Sequence, residues 1–226
     1  MKKKYELTTK KKFNGITLYR IRALRDFGEI KAGERGGWIQ KESNLSHGGK
    51  CWVCGEARIF GNAKVSEDAF IHGHAQIHGN AVVSGSSRIS DNAHILENSK
   101  ITGESFVYGD AIIMGSSNIH FSIIGYGAKC CENAAVHDSS ITEGGHITST
   151  VTTTPIVISG FPYTITIMDT AISIGCMTKT LTQWRRFNIS RSYDYHKEAW
   201  NSYMPHVFEI AKLHQKEIKH ANRIIT

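Results

Sequence analysis

The chain contains no run of about 18 apolar residues, so it offers no helix that would span a membrane. The basic stretch MKKKYELTTKKKF has no apolar segment behind it, which excludes a secretory leader of the usual form. We therefore expect a cytoplasmic protein without membrane contact. Cysteines are few and odd in number: Cys51, Cys54, Cys130, Cys131 and Cys176. That suits reduced thiols better than a disulfide framework. Phosphate-binding loops, nucleophile elbows, paired carboxylates and kinase signatures are all missing, which removes the commonest enzymatic readings.

What is present is charge, unevenly spread. The net charge is +7, yet residues 36–175 are acidic and the excess of Lys and Arg lies in residues 1–35 and 176–226. Basic ends on an acidic body point to anion contacts at the ends, not to a nucleic-acid groove along the whole length.

From Cys51 to Ser122 a six-residue unit repeats without a slip. Ala57-Arg-Ile-Phe-Gly-Asn, Ala63-Lys-Val-Ser-Glu-Asp and Ala69-Phe-Ile-His-Gly-His show it: a small residue, then a branched apolar residue two places on, then a turn pair. Positions i and i+2 of a strand share a side, so each hexad is a very short strand with one small and one bulky inward side chain. Six is no helical period, and the glycines would break a helix. Three hexads make a turn of about eighteen residues, and stacked turns make a three-sided coil with an apolar centre. After Ser122 the register slips, and one or two imperfect turns are expected to about Thr150.

This pattern resembles the left-handed parallel β-helix of hexapeptide-repeat proteins. A closer resemblance lies in Arg22–Ala57, where Asp26-Phe27, Lys31-Ala32-Gly33, Gly36-Gly37-Trp38 and Leu45-Ser46 are similar to the opening segment of YdcK-like β-helix proteins and their bacteriophage-encoded relatives. Ile165–Phe187 resembles the tail of many such phage proteins. The fold class expected is all-β dominated, in three parts: an N-terminal hairpin cap (1–50), turning at Asn14-Gly15, the left-handed β-helix (51–150) and a small β/α module (151–226). In that module a short helix is read at Thr180–Phe187, and a longer one from about Asp194 to His220, interrupted or restarted at Pro205.

Residues eighteen apart form outward columns. One holds Trp52, Phe70, Arg88 and Phe106, with Tyr108 beside it. Such a column would leave a large apolar patch exposed. We expect another subunit, in a homo-oligomer of trimeric type, or the C-terminal module to cover it. Arg20, Arg22 and Arg25, and Arg185 and Arg186 after Trp184, are candidates to grip an anionic ligand of nucleotide type. Lysines 2–4 and 10–12 read as edge protection for the hairpin. No metal site and no cofactor is expected.

The leading functional expectation is a non-catalytic phage-type binding protein that captures an anionic small ligand, such as a nucleotide signal of host defence, or a host component. The resemblance also implies an alternative, an acyl-CoA-dependent acyltransferase with His72 or His78 as general base. The loops that build such sites are not evident between Cys51 and Ser122. A third reading is a structural β-helix that polymerises end to end.

Overall fold

The computed structural model describes residues 2–141, 145–158, 163–175, 177–187 and 197–224. It is a three-sided parallel β-helix with an antiparallel cap at one end and a small β/α module at the other. Strands β1 (Tyr5–Phe13) and β2 (Ile16–Ala23) pair antiparallel across Asn14-Gly15, both at positive φ. Strand β3 (Arg35–Ile39) pairs antiparallel with β2 and parallel with Arg58–Ile59, so the cap continues directly into one wall of the coil.

Beyond it, strands of two or three residues repeat at each hexad and form about six turns. Each wall repeats itself one turn down: Ile59 aligns with Ile77, Ile95, Ile113, Cys130 and Ile147. These residues are fully buried, as are the alanines two places before Ile59, Ile77, Ile95 and Ile113. Serine tolerates the small inward position because its hydroxyl finds a carbonyl at once. The Oγ atoms of Ser87, Ser99, Ser105 and Ser117 donate to the carbonyls of Ser84, Leu96, Thr102 and Met114 at 2.6–2.7 Å.

The slip after Ser122 is a shortened turn, and the coil continues through it. Phe106 aligns with Ile123 and Ile112 with Lys129, seventeen residues on instead of eighteen. The parallel strands continue to Thr150–Val151, so the coil is longer than the strict repeat.

The module closes the lower end. Met168 and Ala171 join the apolar core of the coil. The Thr166 hydroxyl accepts the His146 N–H at 3.1 Å, and Asp169 accepts from the Thr152 N–H and from the hydroxyls of Thr152 and Thr153. Strands Ile156–Ile158, Ile165–Ile167, Ile172–Ile174 and Met177–Lys179 form an antiparallel sheet. Helix α1 (Leu181–Arg185) is capped by Thr180, whose side chain accepts the Gln183 N–H. Helix α2 (Lys197–Ile224) is one helix that runs through Pro205, which corrects the expected break. Proline forfeits one backbone bond, but Met204, Val207 and Ala211 sit on one face of α2 and pack with Ile165, Ile167, Ile172 and Trp184.

Candidate functional site

The aromatic column runs down one wall, and the cap overhangs its top. Trp52 is fully buried, with the Phe27 ring edge-on at 5.3 Å and Tyr5 at 6.4 Å. Its cover is thus the N-terminal segment itself, not a second subunit or the C-terminal module. Phe70, one turn down, is half-buried at the rim of the overhang, while Phe106 is 41% exposed.

Between the overhang and the wall lies a depression of about 400 Å³, lined by Phe27, Ile30, Lys50, Asp68, Phe70 and Arg88 among others. A second, of about 310 Å³, continues down the wall past Arg88 to His72, Asp91, Phe106 and Tyr108. Arg88 belongs to both. The backbone places these groups simply: Arg88 aligns with Phe70 above and Phe106 below, so a guanidinium stands between two aromatic rungs.

Two of the three acids that line this groove are engaged, and the third, Glu29, is exposed. Asp68 accepts the Lys50 backbone N–H at 2.9 Å, and Asp91 accepts the Gly109 N–H at 3.0 Å and the Ser90 hydroxyl at 3.3 Å. The cations are not. Among the described residues neither Lys50 nor Arg88 makes an ion pair, and both are exposed. Two free cations beside aromatic faces can bind an anion and stack a flat ring together.

The arginines expected to grip a ligand lie elsewhere and are mostly committed. Arg20 bonds Glu56 at 2.9 Å and the Gly55 carbonyl at 2.8 Å, and lies over the Trp38 ring. Arg22 pairs with Glu6, and Arg185 with Glu209 at 3.3 Å. Arg25 is half-buried and its Nε has no partner among the described residues, whereas Arg186 is exposed. Trp184 lies inside the module, where its indole N–H donates to the Ile172 carbonyl at 2.7 Å. The two arginine groups stand at opposite ends of the coil.

His72 and His78 fall on different walls. His72 tilts against Phe70 at 5.7 Å, and His78 stacks on Phe60 at 4.7 Å, where burial and His94 lower its pKa. Cys51 and Cys54 do not form an activated pair. Burial pushes both thiols up, and Cys51 faces the core.

Two groups escaped the sequence reading. Arg88 is legible only as an interruption of the aromatic column, and Lys50 stands outside that column, where nothing in the sequence marks it. The other group is Cys131, whose sulfur lies 3.1 Å from His146 Nε2, while His146 Nδ1 faces the Gly175 carbonyl at 3.3 Å. The seventeen-residue lower turns place them together, and the strict eighteen-residue count hides it.

The stacked short strands, repeated turn glycines and inward Ile/Val ladder define a β-helix repeat protein. Residues 75–91 match the family model described as YdcK Beta solenoid repeat, so the repeat is YdcK-like. Comparison with curated proteins gives no match. No described helix is long and apolar enough to cross a membrane.

Proposed function

We propose that this chain is a non-catalytic, homo-oligomeric binding protein that captures an anionic small ligand with a planar ring, of nucleotide type. The groove under the cap is its site. The observation that carries this reading is the pair of free cations, Lys50 and Arg88, set among Phe70 and Phe106. A phosphate suits the cations and a base suits the rings. The resemblance to phage-encoded relatives supports a nucleotide signal of host defence as the ligand, captured in the cytoplasm of the host. Exposed Ile123, one turn below Phe106 on the same wall, supports a second copy packing on the lower part of that wall. The acyltransferase alternative has weaker support, since His78 packs on Phe60 on another wall, and His72, though it lines the second depression, tilts against Phe70.

Thermal shift against a panel of cyclic nucleotides, ADP-ribose and acetyl-CoA tests the proposal, with inorganic phosphate as reference. At least one nucleotide should raise the melting temperature. Arg88→Ala or Lys50→Ala should weaken its binding by about 2 kcal/mol, roughly 30-fold, without lowering stability in the free protein. No shift with any nucleotide, or a shift indifferent to both substitutions, would overturn the groove as the site.

A further inference from the structure

The sequence reading put Lys4 among the solvated lysines at the edge of the hairpin. The structure corrects this: Lys4 is fully buried. Its ammonium position lies 5.0 Å from the Phe27 ring centre and within reach of three carbonyls, Cys51 at 2.8 Å, Gly48 at 3.2 Å and Gly49 at 3.4 Å. It also lies 3.2 Å from Cys51 Sγ. Cys51 is equally buried, and its sulfur is ringed by the carbonyls of Ser46, Gly48 and Val65 at 3.5–3.8 Å. Among the described residues no carboxylate touches the pair. Amine and thiol therefore face each other in a closed, carbonyl-lined site that joins β1 to the loop before the first coil strand.

We propose that Lys4 and Cys51 are a modification site: hydrogen peroxide converts the contact into a covalent Nζ–Sγ bond through a sulfenic acid. In the first step Lys4 takes the thiol proton, the thiolate sulfur attacks one peroxide oxygen and the O–O bond breaks, and the leaving hydroxide takes that proton back from Lys4, which returns to the neutral amine. Sulfur is oxidised by two electrons, peroxide is reduced, and one water leaves. In the second step the Nζ lone pair attacks the sulfur of Cys51–SOH and the S–O bond breaks. The hydroxyl leaves with a proton from nitrogen as a second water, and a sulfenamide remains. Burial favours the reactive forms of nitrogen, because it lowers the Lys4 pKa and so enriches the neutral amine. Burial raises the Cys51 thiol, while the adjacent Lys4 opposes that rise and can take the thiol proton. Cys54 is on the outer side of its strand, so the nearest nucleophile for the sulfenic acid is the amine. A thiol reductant reverses the bond.

The test is peptide mass mapping of the full chain after peroxide, with free thiols then blocked by N-ethylmaleimide. The expected product is a joined peptide pair containing Lys4 and Cys51, two hydrogens lighter than its parts, that separates on reduction. It should be absent from Cys51→Ala, which places at this inward position the alanine found in most other hexads of the strict repeat, and from Lys4→Met. The oxidised wild-type protein should also melt at a higher temperature than the reduced one, and Cys51→Ala should show no such change. Recovery of Cys51 as the maleimide adduct, or as sulfinic or sulfonic acid with Lys4 free, would overturn the proposal. A joined pair that retains an oxygen would overturn the direct nitrogen–sulfur bond.

Discussion

At the residue scale, the acidity of the coil has a cause in its corners. Most turns place glycine at positive φ there, but Glu67, Asp91 and Glu97 hold the same conformation at φ 55–59°. A side chain in this region costs roughly 1 kcal/mol. Each acid offsets the cost by reaching one turn down: Glu67 accepts the Gly85 N–H at 2.7 Å, Asp91 that of Gly109 at 3.0 Å, and Glu97 that of Gly115 at 2.7 Å. The carboxylate therefore stands in for the missing conformational freedom of glycine. Glu97→Ala keeps the strain and loses the bond, so it should destabilise by about 1 kcal/mol, whereas Glu97→Gly loses both and should be near neutral. Urea midpoints of the two variants check this. Alanine as stable as wild type would rule out the carboxylate bond as the compensation. Gly85→Ala should cost more than either, because its Cβ would sit 2.4 Å from the Gly103 carbonyl oxygen.

At the element scale, the hairpin is anchored to the coil through one carboxylate. Glu56 receives Lys11 Nζ at 3.0 Å, Arg20 at 2.9 Å and the Trp38 indole N–H at 3.1 Å, and both cations lie over the Trp38 ring. Desolvation pushes the Glu56 pKa up, but the three hydrogen bonds outweigh it and bring the value down to about 2. The folded value is depressed, so the contribution to stability is complete above the unfolded value and is lost as pH falls from about 4.5 towards 2. Wild type should be more stable than Glu56→Gln at pH 7, and the two should converge near pH 2. Urea midpoints across that range decide it, and a constant difference would refute the anchor. The hairpin itself was legible from Asn14-Gly15, and so were the coil strands, because a fixed period writes the burial of each Ile and Val directly. The anchor was not legible. Arg20 and Lys11 read as free cations because Glu56 lies about forty residues away in sequence, and only the packing of the hairpin on the first turn brings them together. Lys4 was misread for the same reason, since nothing in MKKKYEL marks which lysine turns inward. Of the groove cations Arg88 fared better in position if not in role, because the column arithmetic that places Phe70 also places it, whereas Lys50 lies outside the column.

At the scale of the whole molecule, a coil of stacked turns is nearly one-dimensional: each turn touches only its neighbours, so stability depends on how the ends are closed. The upper end is closed by large side chains, with Tyr5, Phe27, Leu45 and Trp52 all in the main core. The lower end is closed more thinly, since Met168 and Ala171 are the residues of the module that enter that core. The last turns are also shorter, with Ala135 aligned to Thr150 only fifteen residues on. Opening should therefore start at the lower end and travel upward. In hydrogen exchange, the amides of residues 129–141 and 145–151 should exchange faster than those of residues 59–113. Met168→Ala should accelerate the lower set further, because it removes the plug, and leave the amides near Val53 and Val65 unchanged. Ile95→Ala, in the middle of the stack, should instead cost about 3 kcal/mol and raise exchange both above and below it, because a cavity there weakens two interfaces at once. If Met168→Ala raised exchange equally along the whole coil, the stack would be a single cooperative unit and the nearest-neighbour account of its stability would fail.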